Sequence, residues 1–335
     1  MATILGRQLA VGFAKEGTRN TAQTTAAWWL PVISFDDNVK NEPYIDNSNF
    51  GVLDEVLSTE IQYQDFESKL EFKLDANNLT NILYYFFGQL TPTTALGATT
   101  WVGTNLNNAQ PLAFTLFFQN GVDTSGTLNW YKVNGCQIKD LEIKAEAGGD
   151  ATCSITITGL ARTAASTQTV SYTAPSMYLY GKHFAISYAT TVSGLSSPTA
   201  FDTRSFSLKL SNETVDDKAL GSLTPVDEIK AKFKTEFKFS YLPKTAVGNT
   251  LETNSFTGIK QAFQIVGLRS ESSVIGTSTL KPTLKFIWGV GRMDTMTKTD
   301  KDAPAIVDAT FMPQLDTVAG YTVQATLINS TSATA

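Results

Sequence analysis

Few residues in this chain could carry covalent or metal chemistry. There is one histidine, His183, and there are two cysteines, Cys136 and Cys153. A Ser-His-Asp or Cys-His enzyme would have to use His183. That residue lies in Tyr180-Gly181-Lys182-His183-Phe184, with no nucleophile signature around it, and it reads as structural. A zinc site needs about four Cys, His or carboxylate ligands at short spacings. Neither Cys-x-x-Cys nor His-x-x-x-His occurs, and the two cysteines read as buried thiols rather than a bridge. Carboxylate pairs stand at Asp36-Asp37, Asp216-Asp217 and Asp227-Glu228. A glycosidase would need two carboxylates about 5–10 Å apart in a cleft. Acidic pairs in turns are more simply solvated loop residues. Asp300-Lys301-Asp302 offers oxygen ligands, but no glycine-centred twelve-residue calcium loop follows it.

Nucleotide motifs fare no better. Gly289-Val290-Gly291 has Asp294 where the third glycine of a dinucleotide fingerprint would stand, and no amphipathic helix follows. The reading therefore expects no cofactor, no metal and no enzyme. The net charge is −5, which argues against a protein that grips DNA by its phosphates. Charged residues make up 17%, against about 25% in ordinary soluble chains. Such a composition suits a subunit with much surface buried against neighbours. The longest apolar run, Ala26 to Ile33, is far short of the roughly twenty residues of a membrane span. Residues 1–8 lack a basic region leading into an apolar stretch, so no secretory signal is expected.

The elements that position these residues are mostly strands. Threonine and aromatics abound, and turn residues recur between short alternating runs. Ile229 to Tyr241 alternates cleanly: Ile229, Ala231, Phe233, Thr235, Phe237, Phe239 and Tyr241 on one face, Lys230, Lys232, Lys234, Glu236 and Lys238 on the other. Leu57, Thr59, Ile61 and Tyr63 alternate with Ser58, Glu60, Gln62 and Gln64. The phase then shifts to Phe66, Leu70, Phe72 and Leu74, which reads as a bulge. Further strands are expected at 112–118, 128–133, 136–145, 152–158, 283–288, 305–311 and 321–328. Gly148-Gly149-Asp150 supplies a hairpin turn.

Each long strand leads toward a helix. Asp75 is an N-cap, Leu79, Ile82, Leu83, Phe86 and Phe87 follow at helical spacing, and Gly88 stops the segment. In the second half a polar loop runs from Pro243 to Asn254. Ile259, Ala262, Phe263 and Val266 then suggest a helix closed by Gly267. The shared order suggests a duplicated module at a spacing of about 170 residues. The expected domains are 1–165 and 175–335, with a low-complexity linker at about 161–174.

The opening Leu9-Ala10-Val11-Gly12-Phe13-Ala14-Lys15-Glu16-Gly17-Thr18-Arg19-Asn20-Thr21-Ala22 resembles that of the major tail tube proteins of long, non-contractile-tailed bacteriophages. Trp28-Trp29-Leu30-Pro31-Val32, the Ile45-Asp46-Asn47-Ser48 turn, the passage ending at Gly88 and Ala147-Gly148-Gly149-Asp150-Ala151 continue the likeness. The resemblance implies a mainly β fold: two β-sandwich or barrel modules, each with a short flanking α-helix. It implies a structural virion protein made in the host cytoplasm. The chain would assemble with itself into stacked rings, a trimer with pseudo-sixfold symmetry favoured over a hexamer. It would meet the tape measure protein and other tail proteins. DNA would pass the lumen without specific binding, and no membrane is involved.

Candidate lumen or inter-subunit residues are Glu60, Gln62, Gln64, Lys230, Lys232, Lys234, Glu236 and Lys238. The lysines fit a lumen that must not hold DNA only if neighbouring Glu and Asp offset them. Long loops at 34–56 and 243–256 would suit ring stacking. Three other readings stand beside this one, among them an enzyme with a carboxylate pair on a β-scaffold. The chain could be a secreted or surface binding module, with Trp28, Trp29, Trp101, Trp130 and Trp288 as a sugar-stacking platform. It could also be another phage component, in a baseplate or decorating a capsid.

Overall fold

The computed structural model describes residues 9–46, 58–105, 110–122, 128–173, 177–243, 246–271, 274–299 and 306–331. The first half opens with β1 (Val11–Lys15), β2 (Trp28–Leu30), β3 (Ser34–Asp46) and β4 (Ser58–Lys73). Helix α1 (Ala76–Phe87) follows, then a hairpin of β5 (Thr91–Ala95) and β6 (Ala98–Thr104). The half closes with β7 (Phe114–Val122), β8 (Leu128–Glu146), β9 (Ala151–Gly159) and β10 (Arg162–Ala164). The second half has β11 (Phe184–Ala189), β12 (Thr199–Ala200), β13 (Thr203–Asp217) and β14 (Asp227–Tyr241). Helix α2 (Ala246–Thr257), β15 (Gln261–Leu268), β16 (Thr283–Thr299), β17 (Ile306–Gln314) and β18 (Gln324–Asn329) complete it. The chain is mainly β, as expected.

The antiparallel pairings recur between the halves. The first half orders its strands β3-β4-β9-β8. The second orders them β13-β14-β17-β16. β8 then pairs with β13, Asp140–Glu146 against Ser205–Ser211, which joins both sets into one eight-stranded sheet. The other ends of β8 and β16 carry a second layer. There β2-β1-β7-β8-β10 matches β12-β11-β15-β16-β18. Register shifts fall at matching places: Gln62 in β4 and Ala231 in β14, Lys139 in β8 and Asp294 in β16. The β5–β6 hairpin has no counterpart. It reaches across to pair with β18.

Side-chain alternation divides the eight-stranded sheet. Leu70, Phe72, Ile155, Ile157, Leu141, Ile143, Leu208, Leu210, Phe237 and Phe239 are buried on one face, against the second layer. The opposite face is polar. Helix α1 forms as its sequence dictates: the Asp75 carboxylate accepts from the N–H groups of Asn77 and Asn78, and Gly88 stops the helix at φ +75°. The phase shift near residue 62 is a bulge, and Gly148 makes its turn at φ +82°.

Several expectations are corrected. Ile259 to Gly267 is no helix: 261–268 is β15, a central strand between β11 and β16. It is buried on both faces, so its apolar residues run on and mimic helical spacing. The expected polar loop instead holds α2, which lacks an apolar stripe to announce it. Residues 34–46 are strand β3, not loop, and 47–57 lie outside the described residues. The strands expected at 128–133 and 136–145 are one strand, bent at Gly135 with φ +62°. Within residues 161–173, β10 pairs with β8 and Gln168 is buried, accepting from the Ala26 N–H at 3.0 Å; these contacts leave the domain division itself as an expectation.

Candidate functional site

The polar face of the eight-stranded sheet brings charged and hydroxyl side chains from seven strands together. Lys69, Glu71 and Lys73 stand on β4 beside Thr156, Ser154 and Thr152 on β9. Asp140, Glu142 and Lys144 on β8 face Ser211, Lys209 and Ser207 on β13. Those in turn face Lys234, Glu236 and Lys238 on β14. Thr310 and Asp308 on β17, with Thr295 and Thr297 on β16, extend the surface. The face curves inward: a cavity of about 540 Å³ opens on it, with Lys144, Ser207, Lys238, Thr297 and Thr310 in its wall.

Charges here alternate in sign. Lys144 meets Glu142 at 2.9 Å, Lys209 meets Asp140 at 3.4 Å and Lys40 meets Glu67 at 2.6 Å. Lys234 pairs with Glu213, and Lys238 with Glu236. Burial raises the Glu67 and Glu142 carboxyls, but their lysine partners outweigh it and hold both below the usual range. Lys234 and Lys238 of β14 are thus each matched by an acid. Exposed ion pairs of this kind contribute little stability. What they provide is a hydrated surface without excess charge of one sign.

The sequence-derived candidates fall into two places. Lys234, Glu236 and Lys238 belong to the polar face, with Lys232 exposed toward the β13–β14 turn. Lys230 is half-buried, and burial lowers its ammonium. Its N–H donates to Gln110 Oε1 at 3.0 Å. Glu60 and Gln64 lie on β4, with β9, β8 and β13 between them and β14. Glu60 is exposed, and Gln64 is half-buried and donates to Asn41 Oδ1 at 3.1 Å. The Gln62 side chain lies outside the described residues.

One cluster escaped sequence reasoning. Glu228 is 1% exposed, and its carboxylate accepts from the Thr158 hydroxyl. Burial pushes it up to about 8, with the Asp65 and Asp216 charges adding to the effect. Burial and Asp216 likewise push Asp65 up to about 6. The Glu228 carbonyl accepts from Gln137 Nε2 at 2.6 Å and from Arg19. Asp227-Glu228 reads as a turn pair in sequence, and only the fold of β14 over the first half buries it. These acids make no metal-binding group, and no cluster of three or more His, Cys, Asp or Glu among the described residues does.

The remaining chemical residues are structural. His183 accepts the Tyr180 N–H on Nδ1 at 3.0 Å and faces Glu271 through Nε2 at 2.5 Å. Cys136 and Cys153 are buried and unbridged. Trp29, Trp101, Trp130 and Trp288 are buried, and half-buried Trp28 stacks on Phe13 at 4.5 Å. No exposed tryptophan platform exists for a sugar. Among the described residues no helix is long and apolar enough to cross a membrane.

A strand-rich chain with one curved, sign-balanced sheet face points toward assembly. The comparison with protein families decides the matter: the model for phage tail tube proteins matches residues 6–325. The chain belongs to the phage tail tube protein family. No curated protein matches it. As a tail tube protein it is a structural component of a phage tail, in the virion, and it assembles with itself and other tail proteins into a tube.

Proposed function

We propose that this tail tube protein forms closed rings whose lumen is lined by the polar face of the eight-stranded sheet. Each chain contributes two modules, 1–165 and 175–335, joined by 161–174. The carrying observation is the β8–β13 pairing together with two free edges. Among the described residues β3 pairs only with β4, and the far end of β16 pairs only with β17. β16 is the second-half counterpart of β8, and β3 the first-half counterpart of β13. An unpaired edge is a template for another strand. Adding β3 of one copy to β16 of the next repeats the β8–β13 seam. A heterologous contact of this kind generates rings when its rotation closes.

Three chains give a pseudo-sixfold ring with about 24 lining strands. At about 4.8 Å between strands and a tilt of about 40°, the backbone barrel is about 48 Å across. That admits a DNA duplex with room for side chains. Hydroxyls and alternating charges on the wall then let DNA slide during ejection, with no array of free cations to hold phosphates. The tape measure protein occupies the same lumen before ejection, and the long, non-contractile tail type fits the resemblance of residues 9–22.

The test is electron microscopy of the purified chain over a range of concentrations, with native mass on the same sample. Hollow rings or tubes with three chains per ring are the expected outcome. Six chains per ring would overturn the two-module reading. A monomer that stays monomeric even with an initiating tail complex would overturn the ring.

A further inference from the structure

The β13–β14 hairpin does more than extend its sheet. Its outer part lies on the first half of the same chain. Arg19 Nε donates to Asp227 at 2.8 Å, and Asn20 Nδ2 to the Val226 carbonyl at 3.0 Å. The Gln64 N–H donates to the Leu223 carbonyl at 2.6 Å, and the Lys218 ammonium sits 3.7 Å from the centre of the Tyr63 ring. Gln137 and Thr158 hold Glu228 from below. A cavity of about 260 Å³ between β4 and residues 160–164 has Thr224 of this hairpin in its wall.

The paired register shifts locate the same place in the second half. With Gln62 matched to Ala231 and Lys139 to Asp294, Lys232 stands where Tyr63 stands, and Lys234 where Asp65 stands. Arg292 takes the place of Gln137, and Met312 that of Thr158. The match is internally consistent, because Gln137 pairs with Thr158 and Arg292 with Met312. A cavity of about 560 Å³ lies there, bounded by Phe233, Lys234, Pro313 and Leu315 together with the acids Asp140, Glu213 and Glu236, and among the described residues no hairpin enters it. Met312 and Leu315 are 43% and 45% exposed. Lys232 and Arg292 have no ion-pair partner among the described residues.

We infer that this surface is the seat for the β3–β4 hairpin of a second copy of the chain. The inference rests on the ring reading above. Pairing β3 of one copy with β16 of another brings the β3–β4 hairpin over β17 and β14, as β13–β14 comes over β9 and β4. Charge supports that occupant. Residues 41–68 contain seven acids and neither lysine nor arginine. The seat offers Lys232 and Arg292, with Lys234 beside them shared with Glu213. Exposed Ile61 on the hairpin matches exposed Met312 and Leu315 on the seat. Arg292 replaces Gln137 as the donor to a hairpin carbonyl, here that of residue 59. Lys232 and Arg292 are therefore an inter-subunit device, while Lys238 belongs to the lumen wall.

The test compares ring formation by the wild type with that of a Lys232→Glu/Lys234→Glu/Arg292→Glu variant. These residues are exposed or surface-paired, and circular dichroism and thermal melting check that the variant folds. The expected result is at least a tenfold rise in the concentration needed for rings. Glu60→Cys/Lys232→Cys chains assembled into rings, then treated with a short thiol cross-linker, should give covalent dimers and trimers. Charge-reversed chains that ring at the wild-type concentration, or rings that yield no cross-linked species, overturn the seat. Wild-type chains that never form rings overturn the ring reading itself, and this inference with it.

Discussion

The two halves repeat each other's pairings but fill the space beside the sheet differently. In the first half α1 buries Leu79, Ile82, Leu83, Tyr85, Phe86 and Phe87. In the second half α2 buries Leu251 and leaves Phe256 83% exposed. Aromatics do the filling there instead. Phe237 stacks on Trp288 at 4.9 Å, and Phe263 meets Phe311 at 4.4 Å. The repeated feature is the strand order with its bulges, not the core composition. Cores tolerate such exchange when volume and patterning are kept.

The largest expected effect breaks the aromatic filling. Phe237→Ala should cost about 3–5 kcal/mol, because the side chain is fully buried among four other rings and leaves a cavity. Denaturant melts of the monomer measure this. The matched first-half position is Ser68, 1% exposed, whose hydroxyl has no partner among the described residues. Ser68→Ala should therefore be neutral or mildly stabilising. Equal losses at both positions would mean that the halves do not correspond in this register.

Next comes the helix that only the first half packs deeply. Asp75 is fully buried and accepts from Asn77 at 3.0 Å, Asn78 at 3.2 Å and Met177 at 2.8 Å. Asp75→Ala removes the cap and orphans three N–H groups, for a loss of about 2 kcal/mol or more. Asp75→Asn should recover part of it in the same melts.

These contrasts explain what was legible in the sequence. α1 announces itself by a cap, an apolar stripe and a stop glycine, all local signals. β14 announces itself by alternation, since one face meets solvent. β15 does not, because burial on both faces erases the alternation that separates strand from helix. α2 is hidden for the opposite reason: it packs so little that no stripe is needed. The lysines of β14 were visible, and so was Glu236 beside Lys238, but the Glu213 that Lys234 meets stands on β13 and is brought there only by the register. The Glu228 cluster needs five strands from two halves, and no local pattern reports it.

That cluster sharpens the comparison between the two seams. Inside the chain the hairpin contact is buried and polar. The matched outer surface keeps exposed charges, which suits a partner that arrives by diffusion. Glu228 at about 8 and Asp65 at about 6 both sit above their ordinary values. The native state thus binds more protons than the unfolded chain between about pH 4 and 8. The stability they contribute is complete below about pH 4 and is lost as pH rises through 8. Wild-type melting temperature should fall between pH 6 and 9. Glu228→Gln should flatten that fall by about 1–2 kcal/mol. An unchanged pH profile in the variant would show that Glu228 is not the titrating group.

The smallest expected effect tests how far α2 depends on its own packing. Phe256 stands near the end of α2, 83% exposed. Phe256→Ser removes little buried area, so the monomer should change by less than about 0.5 kcal/mol. Phe86, at the corresponding end of α1, is 1% exposed and lies 5.2 Å from the Phe87 ring. Phe86→Ser should cost several times more, because it opens a cavity and buries a hydroxyl. If Phe256→Ser instead destabilised the isolated chain as strongly as Phe86→Ser, α2 would be a packed element like α1. The halves would then be filled alike, and the aromatic cluster of the second half would need another explanation.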